Sequence, residues 1–202
     1  MKPTIALDVD GVLLDYHAAY AGAWERAFGI RPRLKNANAY WPLDRWDVER
    51  LVDERKEQLR RAFDDAHWAT MPALPGALKA CHALVDAGFD LVCVTAIRDE
   101  FAEARRRNIF ELGFPVRQVI ATGNASSSTS PKAAVIAQLS PAAFVDDYLP
   151  YHRGMPAHVH KALILRDPDG SPNVGDELNL VDSMHSNLAA FADEWLRGLG
   201  SH

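Results

Sequence analysis

The sequence predicts an α/β fold: a parallel sheet covered by helices on both faces, with a small α-helical cap inserted after strand one. Three observations lead there. Short, near-continuous apolar runs alternate with amphipathic stretches of helical period along the chain, the pattern of strands buried on both faces and the helices that cover them. Between the first apolar run and the second, residues 16–71 carry helical patterning and no strand. The 202 residues, 48% hydrophobic and 24% charged, are ordinary globular material, enough for one domain carrying a small insert.

The elements follow in order. The spacing predicts a first strand over about 4–9 and a helix over 16–30, with Tyr20, Trp24, Ala27 and Phe28 on one face. Residues 31–43, with Pro32 and Pro42, break it, and a second helix runs over about 44–67 from an Asp44 cap, with Trp46, Leu51, Leu59 and Phe63 among charges. With no strand between them, these two helices sit outside the sheet as a lid. Pro75-Gly76 opens a helix through Leu78, Cys81, Leu84 and Val85 to a stop at Gly88. Phe89–Val94 is an apolar strand ending at Thr95. A helix over 99–112, a strand over 116–121, a helix over 131–139, a strand over 142–145 ending at Asp146-Asp147 and a strand over 160–165 come next. The final helix, 186–198, presents Leu188, Phe191, Trp195 and Leu199 on one face. Ala125–Ser130, small and polar, reads as a mobile loop.

Composition excludes several classes. A net charge of −5 provides no general field for a nucleic acid polymer or an anionic membrane surface. Cys81 and Cys93 each sit in an apolar pattern, as buried reduced thiols do, which fits a reducing compartment. The apolar stretch before Asp8 is too short for a signal peptide, and no segment approaches the roughly 18 residues of a membrane span. The expectation is a cytoplasmic protein with a small-molecule partner and no membrane or nucleic acid partner; oligomeric state is left open.

The polar residues at the strand ends carry the chemistry, because an open parallel sheet binds ligands beyond the carboxyl ends of its strands. Asp8 and Asp10 are two residues apart and share one side of the first strand. Such a pair is costly unless a cation joins it. Thr95 ends the second strand and Asp146-Asp147 a later one, while Ser130-Pro131-Lys132 reads as an N-cap, a first-position proline and a lysine at a helix start. A lysine matches the positive end of a helix dipole poorly, so an anion nearby compensates. Taken singly, these residues have plainer readings: an acidic turn, a helix cap, a solvated lysine. His152, His158 and His160 read as loop and strand residues rather than a metal cluster, and Arg105-Arg106-Arg107 as the wet face of a helix.

In this order LDVDGV, LVCVTA, SPKAAV and AFVDDY resemble the four signatures of the haloacid dehalogenase superfamily. The resemblance implies a Rossmann-like core over 1–15 and 72–202 and a helical cap over 16–71. It implies a magnesium-dependent phosphomonoester hydrolase in which Asp8 is the nucleophile and forms an aspartyl-phosphate. Asp8, the backbone carbonyl of Asp10 and Asp146 would hold Mg2+, with Asp147 either a ligand or an acceptor behind one. Lys132 would balance phosphoryl charge, Thr95 would donate a hydrogen bond to it, and Asp10 would serve as general acid and base, which demands a raised pKa. An Asp at this second position marks phosphatases and phosphomutases of the superfamily and disfavours halide displacement.

The substrate is expected to be a small phosphate ester, a nucleotide among the candidates, since compact deoxyribonucleotidases of the superfamily carry a comparable lid. His17, Tyr20 and Arg45 are the candidate substrate contacts. The tryptophans and tyrosines of the insert either build the cap's own core or stack on a flat leaving group. Two alternatives stand beside the hydrolase: a phosphomutase sharing the same groups, and a receiver-like phosphoacceptor, whose acidic pair would come first in the chain rather than last.

Overall fold

The computed structural model describes residues 2–124 and 128–199. Six strands, β1 (Thr4–Leu7), β2 (Asp90–Thr95), β3 (Gln118–Ala121), β4 (Ala143–Asp146), β5 (His160–Ile164) and β6 (Ser183–His185), form one parallel sheet in the order β3-β2-β1-β4-β5-β6. Side chains alternate along each strand, and both faces are filled. Ile5, Leu7, Leu91, Cys93, Ala143 and Val145 face one layer, and Ala6, Val92, Val94 and Phe144 the other. That is why the strands read as continuous apolar runs rather than alternating ones. The order reverses between β1 and β4, the switch point where neighbouring connections part and leave a crevice.

The helices are α1 (Tyr16–Phe28), α2 (Pro42–Arg45), α3 (Asp53–Arg61), α4 (Asp65–Ala69), α5 (Ala77–Asp86), α6 (Ala102–Glu111), α7 (Ala133–Leu139) and α8 (Leu188–Leu199). Asp15 caps α1, its Oδ1 accepting from Ala18 N at 2.9 Å, and Gly29 ends the helix at φ +77°, a conformation glycine adopts without a Cβ penalty. No described helix is long and apolar enough to cross a membrane. Cys81 and Cys93 are buried and unpaired.

The structure corrects three expectations. The second cap helix over 44–67 is broken into α2, α3 and α4. Lys35 N and Asn36 N donate to Arg45 O, and Asp47 N donates to Arg33 O, so this backbone is already committed across the cap and cannot continue a helix. Asp44 lies inside the first turn of α2, behind Trp41 and Pro42. The strand β6 has no apolar run to announce it and exists through its pairing with β5. Finally, β1 ends at Leu7: Asp8 N still donates to Val145 O at 2.8 Å, after which Leu13 N and Leu14 N both turn back to Val9 O at 2.9 Å. Residues 125–127 of the small polar patch and the Leu199 side chain lie outside the described residues.

Tyr20, Ala23, Trp24, Leu59 and Ala62 form a separate apolar cluster within the insert, with Trp46 and Phe63 against it. Met71 belongs instead to the main core, and Trp68 packs against it. The insert lies over the carboxyl ends of the strands and is held there by Tyr40 N to Asp169 O at 3.0 Å, Asp169 N to Asn38 O at 3.0 Å and Asn36 Nδ2 to Asp169 Oδ2 at 2.9 Å.

Candidate active site

The turn after β1 and the end of β4 lie side by side at the switch point, and Lys132 joins them. Its Nζ donates to Asp8 Oδ1 and, at 2.6 Å, to Asp146 Oδ2. Lys132 and Asp146 are fully buried and Asp8 nearly so. Burial opposes the lysine's charge, but Asp146 and Asp8 outweigh it and hold its pKa above the ordinary lysine value. These carboxylates are the anions the lysine's awkward place at a helix start required. Ser130 prepares that start, its Oγ accepting from Lys132 N at 3.2 Å.

A cavity of about 450 Å³ opens above this ion cluster, walled by Asp8, Asp10, Thr95, Asp147 and Arg166 among others. Thr95 is 1% exposed at the end of β2. Asp8, Asp10, Thr95, Lys132, Asp146 and Asp147 are therefore brought together, as their positions at strand ends predict. Ligand oxygens of Asp8, Asp146 and Asp147 lie within 4.8 Å of one another. Burial raises the pKa of Asp146 well above the carboxylate range, Lys132 opposing it and the neighbouring carboxylates adding to it. Burial likewise pushes Asp147 up to about 6 against the pull of Arg166. Of the cations in reach of these carboxylates, Lys132 is shared by Asp8 and Asp146, and Arg166 by Asp147 and Asp167. Converging hard oxygen donors short of compensating charge fit a divalent cation such as Mg2+.

Asp10 is placed differently from Asp8. Its Oδ1 accepts from Arg105 Nη2 at 2.6 Å, and its side chain is 24% exposed. Burial raises its pKa, with Asp8 adding to the effect and Arg105 and Lys132 opposing it, the direction a general acid needs. Gly11 then turns the chain at φ +83°, where a Cβ would run into Asp147 Oδ2 and Arg166 Nε. Only glycine lets the acidic turn approach the Asp147–Arg166 pair this closely.

Two arginines of this site were not singled out by the sequence. Arg105, expected on a wet helix face with its neighbours, is fully buried, whereas Arg106 and Arg107 are exposed. The signal was in the spacing: Arg105 shares its face of α6 with the buried Asn108 and Ile109. Arg166 follows the carboxyl end of β5 and meets Asp147 Oδ2 through Nε at 2.7 Å and Nη2 at 2.6 Å. The strand-end rule that found the acids points to it as well.

The three candidate substrate contacts do not line this cavity. His17 is buried beside Arg166 Nη1 at 2.9 Å and Asp167 Oδ2 at 3.3 Å. Arg45 meets Asp167 Oδ1 at 3.0 Å. Tyr20 packs in the cap cluster. Of the cap's aromatics, Tyr20, Trp24 and Trp46 build its core, while Tyr16, Tyr40, Trp41 and Trp68 join Tyr148 and Tyr151 on the cavity wall. His152 is buried against Phe144, His158 pairs with Ser140 and His160 starts β5, so the three stay apart as loop and strand residues.

No protein-family model and no curated protein matches the sequence. Solved structures do match. A HAD family hydrolase from Deinococcus radiodurans R1, with bound phosphate and sodium, superposes over 98% of this chain and 97% of its own at 15% identity and a TM-score of 0.64. A predicted phosphoglycolate phosphatase from Haemophilus somnus 129pt covers 96% and 98% at 13% identity and a TM-score of 0.64. An L-2-haloacid dehalogenase covers 96% and 100% at 14% identity and a TM-score of 0.56. The chain has the haloacid dehalogenase-type fold, a Rossmann-like α/β core with an inserted helical cap.

Proposed function

We propose that the protein is a phosphomonoester hydrolase of the haloacid dehalogenase superfamily, dependent on Mg2+ and working through an aspartyl-phosphate. The observation that carries this reading is the buried Lys132 bridging Asp8 and Asp146 beneath a cavity that also presents Asp10 and Thr95. Attack on a phosphate dianion needs a nucleophile, compensating charge and a proton for the departing oxygen. Asp8 supplies the nucleophilic carboxylate, aimed by Lys132, which also offsets charge on the phosphoryl group. Thr95 donates a hydrogen bond to a phosphoryl oxygen. Asp10 protonates the leaving oxygen and then takes a proton from the water that opens the acyl phosphate. The carboxylates of Asp8, Asp146 and Asp147, with the carbonyl of Asp10, would hold Mg2+, whose chemistry is to neutralise the dianion beside its nucleophile.

Asp10 also argues for phosphate ester rather than haloacid. A halide departs as a stable anion and needs no acid, whereas an alkoxide does. Residues 16–71 act as the cap that screens this chemistry from water. Its flat walls, Tyr40, Trp41 and Trp68, suit a planar leaving group and support a nucleotide as substrate. A cytoplasmic location fits the two reduced thiols.

Steady release of phosphate from p-nitrophenyl phosphate with Mg2+, abolished by EDTA, tests the reading. A single stoichiometric phosphorylation would favour the receiver-like phosphoacceptor, and phosphate transferred back onto product would favour the phosphomutase. A panel of nucleotides, sugar phosphates and simple alkyl phosphates, ranked by kcat/KM, tests the substrate class.

A further inference from the structure

We infer that Arg105 is a positioning residue for Asp10: it fixes which carboxylate oxygen meets the leaving group. The inference rests on the phosphatase reading and adds to it a residue outside the four motifs. Arg105 has no exposed surface. Its Nη2 donates to Asp10 Oδ1 at 2.6 Å, its Nη1 faces the Met71 sulfur at 3.2 Å, its guanidinium carbon lies 5.0 Å from the Trp68 ring centre, and its Nε is buried without a partner. Asp10 is thus the one carboxylate within salt-bridge reach of this guanidinium among the described residues.

A buried cation with one anionic partner and an unsatisfied nitrogen is a poor way to stabilise a fold, since an apolar side chain of similar volume does as well or better. What the arrangement does supply is orientation. Arg105 can only donate hydrogen bonds, so the Asp10 oxygen it holds, Oδ1, must accept. The proton of the neutral acid is then carried on Oδ2, the oxygen left for the cavity that Asp10 lines. When Asp8 forms its bond to phosphorus, the bond from phosphorus to the ester oxygen breaks and its electron pair stays on that oxygen. The Oδ2 proton passes to it, and Oδ2 is the base that next receives a proton from water. The anchor is also tied to the cap's return: Trp68 is stacked on Phe101 at 5.5 Å, and Asn108 Nδ2 donates to Met71 O at 3.1 Å. The same contacts that seat the end of the insert on α6 hold the acid in register.

The test uses two esters that differ in their need for an acid. Benzyl phosphate must expel a strongly basic alkoxide, whereas p-nitrophenolate leaves unaided. Values of kcat/KM report the steps through leaving-group departure. In Arg105→Lys and Arg105→Met, kcat/KM for benzyl phosphate is expected to fall by about 100-fold, the lower range of a general acid's contribution, and that for p-nitrophenyl phosphate by less than about 5-fold on the same reasoning. In an Asp10→Asn background, Arg105→Lys should cost nothing further on either ester, because the residue it aims is no longer an acid. Equal losses on both esters, no loss, or an additional loss in the Asp10→Asn background would overturn the positioning role. Should Arg105→Met fail to fold, Arg105→Lys and the double variant decide between these outcomes without it. A wild-type protein that hydrolyses neither ester would overturn the phosphatase reading and this inference with it.

Discussion

Replacing Lys132 by Met removes the cation that bridges Asp8 and Asp146 and leaves a side chain of similar length in its place. Ligand oxygens of these two acids lie within 4.8 Å of each other. At an effective dielectric of 20, two unit charges at that separation repel by about 3.5 kcal/mol, which agrees with the loss of about 3–5 kcal/mol that follows removal of one partner from a buried ion pair. Urea unfolding at pH 8 in EDTA should therefore show Lys132→Met less stable than wild type by about 3–5 kcal/mol. The sign with pH is definite. Without the lysine, which opposes the effect of burial on Asp146, the folded-state pKa of Asp146 rises further above its unfolded value, so the folded protein binds more protons than the unfolded chain and stability falls as pH rises through that interval. The deficit should shrink at pH 5, and Mg2+ at pH 8 should recover part of it. A loss below about 1 kcal/mol at pH 8 in EDTA, the size of an exposed ion pair, would refute the placement of a buried Lys132 between Asp8 and Asp146.

Other expectations follow from individual residues. Asp8→Asn should abolish turnover while leaving the thermal transition in place, and Asp10→Asn should slow benzyl phosphate hydrolysis by at least about 100-fold; wild-type turnover in Asp8→Asn excludes it as nucleophile. Gly11→Ala places a Cβ against the Asp147–Arg166 pair at a positive φ, so urea unfolding should show a loss of about 1–3 kcal/mol, and a loss under about 0.5 kcal/mol would mean the turn relaxes freely. His67 is 2% exposed among Tyr16, Phe63 and Trp68 with neither ring nitrogen bonded, and burial, reinforced by Arg26 and Arg105 and opposed by Asp64, lowers its pKa to about 3. The wild-type contribution is complete above the unfolded value near 6.5 and is lost as pH falls toward the folded one. His67→Phe should remove about 2 kcal/mol of acid sensitivity between pH 6.5 and pH 5, and an unchanged slope of stability against pH would refute a buried neutral histidine.

The sheet and the ion cluster were legible because the physics that forms them is written in short segments. Apolar runs buried on both faces, each ending in an acid, a hydroxyl or a lysine's helix, announce strands and the rim they share. The boundaries of the cap were not legible, because α2 stops where backbone groups of residues 33–36 take up those of 45–47, a pairing no local pattern encodes. Strand β6 depends in the same way on β5. Arg105 and Arg166 were missed for a different reason: charged residues in a helix or after a strand are usually solvated, a prior that outweighed the helical spacing of Arg105 and the strand-end place of Arg166, and their partners, Asp10 and Asp147, show what each is buried for. His17 and Arg45, chosen for polarity inside an aromatic insert, were drawn instead to Asp167.

Mass spectrometry of protein quenched in acid during turnover, with Mg2+ and excess p-nitrophenyl phosphate, goes to the centre of the account. One phosphoryl group should be carried on the peptide containing Asp8, absent from Asp8→Asn and in the presence of EDTA. Phosphate release at the wild-type rate with that peptide unmodified, or a phosphoryl group found on another residue, would contradict it.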